Sequence, residues 1–432
     1  MRFFSRIGIL FFSMISVGFA VVQPTDLIRD PTPEEWKSLE QFSSSLTRVE
    51  FEQRLKEVFD PTGSLTPFLK ITDQSVVILS ATNPPATTVT VVFAPTPSGK
   101  TSASVPLPSA VPTPIPTPVA AITSVPKQPL AGLRVVIDPA DIGGAWGAME
   151  DRSTLYPGFG LIQEGDLNLL VSKVLAERLR LLGAQVFVTR DTATPVCSLT
   201  VPEVQQVVPQ VLAHHAYLLS KTFRSRTTNV RATSPVYQRI VAEVLLTKNL
   251  EAMARVEKTR TTIIPDITIV LQFDATGARH FDNLPRINRN ILFVSGAYTG
   301  REITADPRER LRLLTKLLQN VTPTEIRGAL SISNHLVELT GFPPVLYGNS
   351  RTTRSIAGNP YVVARNLLLS REHDGPVVVT EPYFMNQPET LRRLLAGDYE
   401  GTRLIAGKQR ISIYREYSEA VAEGLVDAYG KR

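Results

Sequence analysis

The chain has 432 residues, 43% of them hydrophobic and 20% charged, with a formal charge of +6. Its one cysteine, Cys197, excludes an intramolecular disulfide framework and a cysteine zinc site, and five histidines leave few places for imidazole ligands. The 46 basic and 40 acidic residues are interspersed, which argues against a nucleic-acid partner.

Met1, Arg2 and Arg6 precede an apolar run from Ile7 to Ala20 that closes on Gly18-Phe19-Ala20. That is the pattern of an export signal over residues 1–20. An uncleaved anchor is the other reading, although the run falls short of the about 20 residues a spanning helix needs. No cysteine follows for a lipid anchor, and no later stretch reads as membrane-spanning. The expected location is the periplasm or cell envelope.

Residues 24–93 read as a small α+β module. Thr32-Pro33-Glu34-Glu35 is a helix start. Val49, Phe51, Leu55 and Val58 stand at helical spacing, and strands are expected at Phe68–Ile71, Val76–Leu79 and Thr88–Phe93. Residues 94–129 are Pro-, Thr- and Ser-rich and cannot pack a core. An extended tether is expected, able to reach on the order of 100 Å.

The main domain, 130–432, alternates strands and helices. Leu133–Ile137 is a continuous apolar run suited to a strand buried on both faces. An amphipathic helix capped by Asp166 follows, with Gly183 just past its end. Gln185–Thr189 is a second strand, which makes a parallel pair. Helices are expected at Val201–Leu219 and Val236–Val256, strands at Ile267–Phe273 and Ile291–Val294, and helices at Asp306–Gln319 and Pro323–Thr340. Val377–Thr380 is a last buried strand, and helices near Glu389–Leu395 and Ser412–Tyr429 close the chain. The fold class is α/β, a doubly wound, mostly parallel sheet with flanking helices.

In open α/β sheets, ligands bind beyond the carboxyl ends of the strands. Asp138-Pro139-Ala140-Asp141-Ile142-Gly143-Gly144, Gln272-Phe273-Asp274 and Glu381-Pro382-Tyr383-Phe384-Met385-Asn386 lie at three such ends. Gln163-Glu164-Gly165-Asp166 opens the crossover helix on the same edge. Each acid alone has an ordinary use in a turn, a cap or a strand end. Glu381, after a buried strand and before two aromatics, is the hardest to explain that way.

Together these segments resemble the zinc-dependent N-acetylmuramoyl-L-alanine amidases. The resemblance rests on LRVVIDPADIGG from Leu133, on EGDLNLLVSKVLAERLRLLGAQVFVTR from Glu164 and on VVVTEPYFMN from Val377. It covers about 300 residues, with a middle longer than in minimal amidases. It implies peptidoglycan as the partner and hydrolysis of the amide between muramic acid and the stem peptide. It also implies zinc ligands at Asp141, Glu164 and Gln272 and a catalytic Glu381. Two of those three ligand positions hold histidine in the family, so both imidazoles are replaced here.

Oxygen-only donors suit Mg²⁺, Mn²⁺ or Ca²⁺ better than Zn²⁺. Asp274, two residues from Gln272 on one strand face, is another candidate ligand. Four converging carboxylates would bind a cation, keep protons, or be neutralised by a nearby Arg or Lys. The histidines His214, His215, His280, His335 and His373 read as structural or solvated, with His280 the one nearest the site in sequence. The resemblance implies that Arg286, Arg289, Arg351, Arg354, Asn359 and Tyr361 flank the groove, although each alone also reads as solvated surface. Two functions stay open: an amidase with an altered metal site, and an inactive pseudo-amidase that binds or regulates at the cell wall. The sequence names no protein partner.

Overall fold

The computed structural model describes residues 22–83, 86–96, 128–214, 219, 231, 234–277, 283–347, 349–356 and 358–430. The export signal, most of the Pro-rich segment, His215 and His280 lie outside the described residues. So do the side chain of His214 and the end of the helix expected over Val201–Leu219.

In the N-terminal part, α1 (Pro33–Lys37) and α2 (Arg48–Arg54) each open on a capping box, Thr32 with Glu35 and Thr47 with Glu50. Each threonine side chain accepts a backbone N–H that the first turn leaves unpaired. The helix expected to continue to Phe59 widens at Leu55–Phe59 into a π-turn. Strands β1 (Leu69–Ile71), β2 (Ser75–Leu79) and β3 (Thr88–Val92) form an antiparallel sheet. Val76, Ile78, Val89 and Val91 are buried on one face, as period-two alternation requires.

This part packs against residues 296–320. Ala297 and Tyr298 donate backbone hydrogen bonds to Val58 O and Phe59 O at 2.7 and 2.9 Å. The Arg310 guanidinium lies 4.2 Å from the Phe68 ring centre. The buried side chains of both parts belong to one continuous core.

The main sheet contains β4 (Arg134–Pro139), β7 (Gln185–Val188), β8 (Ile267–Leu271), β9 (Ile291–Val294), β10 (Arg354–Ile356), β11 (Asn359–Ala364) and β12 (Val377–Glu381), in the order β10-β11-β9-β12-β8-β4-β7. Four neighbouring pairs are parallel and two, β10–β11 and β9–β12, are antiparallel. The sheet is therefore mixed but mostly parallel. A small hairpin, β5 (Ser153–Tyr156) with β6 (Gly160–Gln163), precedes the crossover helix α3 (Glu164–Leu181).

A helical insertion joins β7 to β8. It comprises α4 (Val201–Gln205), α5 (Val208–His214), α6 (Pro235–Val244) and α7 (Glu251–Arg260). The helix expected over Val236–Val256 is interrupted by a π-turn at Leu245–Leu250. The insertion has its own core of Val204, Val208, Val211, Val241, Leu245 and Leu250, which also takes in Leu27.

Later helices are α8 (Gly300–Ala305), α9 (Pro307–Leu318), α10 (Thr322–Thr340), α11 (Leu368–Glu372), α12 (Pro388–Leu395) and α13 (Ile413–Tyr429). Helices α3, α10 and α13 cover the face bearing Val135, Ile137, Ile269 and Leu292. α10 and α13 approach so closely that a Cβ on Gly424 would lie 2.5 Å from Ile332 Cα. The opposite face presents Val270, Ile291, Phe293, Val363, Val377 and Val379. Strand β11, which the sequence reading missed, sits inside the sheet between β10 and β9.

Candidate functional site

The turn after β4 places Asp141. Its backbone is left-handed, φ 56°, and Gly143 and Gly144 follow at φ 78° and 53°. The buried carboxylate of Glu150 fixes the turn, accepting from Ile142 N at 2.8 Å and Gly143 N at 3.0 Å. Gly165, in the first turn of α3, lets the two segments touch: a Cβ there would stand 2.3 Å from Gly143 N. The chain thereby sets Asp141 beside Glu164, the first residue of α3.

Two cations meet these two acids. The Lys248 ammonium donates to Asp141 Oδ1. The Arg152 guanidinium lies 3.3 Å from Glu164 Oε2 and 3.7 Å from Asp141 Oδ2. Both acid side chains are 7% exposed. Burial alone would raise the Asp141 carboxyl, yet Lys248 and Arg152 outweigh it and hold it at about 2. Glu164 goes the other way: burial and then the Asp141 charge push it up to about 8 against the pull of Arg152. Its Oε1 accepts from Phe273 N at 3.3 Å, which ties α3 to the end of β8.

The other half of the pocket comes from β8, β12 and the segment after β11. Asp274 pairs with the chain beyond β12: its N–H donates to Tyr383 O at 2.9 Å, and its carbonyl accepts from Met385 N at 2.8 Å. Glu381 ends β12, aligned across from Ile291. Burial, then the charges of Asp274 and Glu164, raise its carboxyl well above the usual range. Burial also raises Asp274. The opposing charge is Arg365, whose guanidinium lies 5.4 Å from the Phe293 ring centre and 5.7 Å from that of Tyr347.

Four of the five candidate site residues thus act on one another: Asp141, Glu164, Asp274 and Glu381. Gln272 shares the β8 face of Asp274 and Val270 by register. Its described contacts run through its backbone, N to Thr380 O and O from the Tyr417 hydroxyl. The sequence reading missed Lys248, Arg152, Arg365 and Tyr347. Lys248 had a signal, as the one charge between Leu245 and Leu250.

His373 is buried and bonds Asp138 at 2.7 Å, and His335 bonds Asp427 at 2.7 Å. Both are therefore structural. Of the groove candidates, Tyr361 and Arg289 donate to Phe342 O and Pro344 O, which ties their segments to the stretch after α10, and Arg354 donates to Ser350 O within its own loop. Arg351 is exposed, as is Arg286, whose carbonyl accepts from Gln387. Asn359 accepts from Tyr361 N.

The donor chemistry does not fit zinc. Such centres are built on imidazole or thiolate, and this pocket offers carboxylates and one carboxamide. Its two nearest carboxylates, Asp141 and Glu164, already carry Lys248 and Arg152 as counter-ions.

No family model matches the chain, and no curated protein does. Solved structures are similar at low identity. AmiC2 of Nostoc punctiforme, an N-acetylmuramoyl-L-alanine amidase, is 15% identical over 69% of this chain and 97% of that one, with a TM-score of 0.33. The CwlD amidase from Clostridioides difficile, solved in complex with the GerS lipoprotein, is 12% identical over 69% and 98%, at 0.35. Cwp6 from Clostridium difficile is 14% identical, at 0.32; the match covers 69% of this chain and 29% of Cwp6. Likeness at this level leaves the pocket to be read from its own residues. Among the described residues no helix is long and apolar enough to cross a membrane.

Proposed function

We propose that this chain is an amidase-like cell-wall protein that binds peptidoglycan at this pocket without hydrolysing it. The motifs around Asp141, Glu164 and Glu381 support the substrate class. The observation that carries the absence of turnover is the ion pairing of Asp141 and Glu164 with Lys248 and Arg152. Carboxylates engaged in this way are poor ligands for a Lewis acid, and amide hydrolysis in such sites depends on one.

The residues still offer recognition chemistry. Arg365, beside the Phe293 and Tyr347 rings, presents a planar cation suited to a stem-peptide carboxylate. Glu381, its carboxyl raised, can in its protonated form donate a hydrogen bond to a carbonyl oxygen.

The raised Glu381 carboxyl also supports the second reading, an active amidase, because a carboxyl that keeps its proton more readily is what a general acid needs. Purified sacculi separate the two. The chain is expected to pellet with sacculi and to release no stem peptide, with or without Zn²⁺ or Mn²⁺. Free stem peptides detected by mass spectrometry, and lost in Glu381→Ala, establish the amidase instead. A chain that neither pellets nor cleaves removes both readings.

A further inference from the structure

The insertion between β7 and β8 brings one charge to the pocket. In its π-turn, Leu245, Leu246, Thr247, Asn249 and Leu250 are all buried, and Lys248 alone carries a charge out of the run. An α-helix gives up regular hydrogen bonding to form such a turn, and π-turns gather at functional positions. Here the turn aims an ammonium group at Asp141.

We infer that the Lys248 ammonium and the Arg152 guanidinium together take the place of a divalent cation in this pocket. The inference draws on the proposed function for what the site would otherwise hold. Lys248 at Asp141 and Arg152 beside both acids put positive charge where one divalent ion would. Both charges are held in place. The π-turn anchors Lys248 in the insertion core. Arg152 donates its N–H to Gly147 O at 2.9 Å and accepts from Glu164 N at 3.2 Å. Arg255 donates to the Asp141 carbonyl at 3.1 Å, so the backbone beside the carboxylate is pinned as well. A metal ion entering here has to displace Lys248 and then sit near two cations in a poorly solvated site, where like charges repel strongly. The chain therefore folds and keeps its pocket without metal, and the insertion supplies what a bound ion would have supplied.

The test is metal titration of the full chain and of Lys248→Met, by calorimetry and by melting temperature in EDTA, Zn²⁺ and Mn²⁺. The unaltered chain is expected to melt at one temperature in all three and to give no binding heat. Lys248→Met keeps the side-chain length and loses the charge. It should melt about 5 °C lower in EDTA. Zn²⁺ or Mn²⁺ should recover much of that loss, with affinity at least tenfold above that of the unaltered chain. If the single variant does not fold, Lys248→Met with Asp141→Asn removes both partners and should restore folding and the original melting temperature.

One tightly held metal per unaltered chain, with melting lowered by EDTA, overturns the inference. So does a Lys248→Met variant that melts like its parent and binds metal no better, or a double variant that does not recover. Sacculus pelleting reports separately: a chain that ignores metal yet fails to pellet keeps this inference and loses the proposed function.

Discussion

Asp138 and Asp141 stand three residues apart at the end of one strand, both buried, and their surroundings treat them differently. Asp138 accepts from Thr189 Oγ1 at 2.8 Å, Arg255 Nη1 at 3.2 Å and His373 Nε2 at 2.7 Å. Arg255 in turn pairs with Glu251 at 2.8 Å, and Glu251 also accepts from Val196 N and Cys197 N. Each acid in that network has donors of its own. In the pocket, Asp141 Oδ2 and Arg152 Nε are buried and have no hydrogen-bond partner among the described residues, and the raised Glu164 and Glu381 carboxyls act on each other. The first arrangement is what a fold does to bury charge safely. The second leaves groups under-satisfied, and such groups collect where ligands bind.

Breaking the satisfied network should have the largest effect. Arg255→Met strands both Asp138 and Glu251, and the expected loss is about 3–5 kcal/mol, read as a lower urea midpoint. Next is Gly165→Ala. Its Cβ has no space against Ile142 and Gly143, so the Asp141 turn must move. The expected cost is about 1–3 kcal/mol, and a structure of the variant should show Asp141 separated from Lys248. Glu381→Gln keeps the shape of a side chain whose carboxyl is already raised towards its neutral form. Its stability should stay within about 1 kcal/mol of the parent, and a loss as large as that of Arg255→Met would erase the distinction between the two clusters.

The contrast also marks what the sequence could reveal. Strands β4, β8, β9 and β12 were legible because they are continuous apolar runs, and α3 because its periodicity and Gly183 are clear. Strand β11 was not: it opens on Asn359-Pro360-Tyr361, which reads as a turn, and only its pairing with β9 makes it a strand. Asp141, Glu164, Asp274 and Glu381 were legible as acids at strand ends. Their counter-ions were not. Lys248 comes from an insertion and Arg152 from a loop before a hairpin, and neither has a sequence spacing to the acid it meets. The π-turn that delivers Lys248 leaves the helical pattern intact over Val236–Val256, so periodicity reads straight through it.

The smallest predicted effect separates the clusters by sign. Arg255 and His373 outweigh burial and lower the Asp138 carboxyl. It adds stability above its unfolded value near 3.8, and that stability is lost as pH falls below it. Burial and then the Asp141 charge raise Glu164 from 4.5 to about 8, against Arg152 and Lys248. Between those values the folded chain holds a proton that the unfolded chain releases, so this group's contribution falls as pH rises from 4.5 to 8. Arg152 is partly exposed, and solvent there reduces the effect to on the order of 1 kcal/mol. Glu164→Gln should flatten that decline in thermal melts across the window and leave the acid limb, set by Asp138, in place. If the decline is the same in parent and variant, Glu164 is ionised throughout. The pocket would then be as fully compensated as the network beside it, and the argument that it is poised for a ligand would fail.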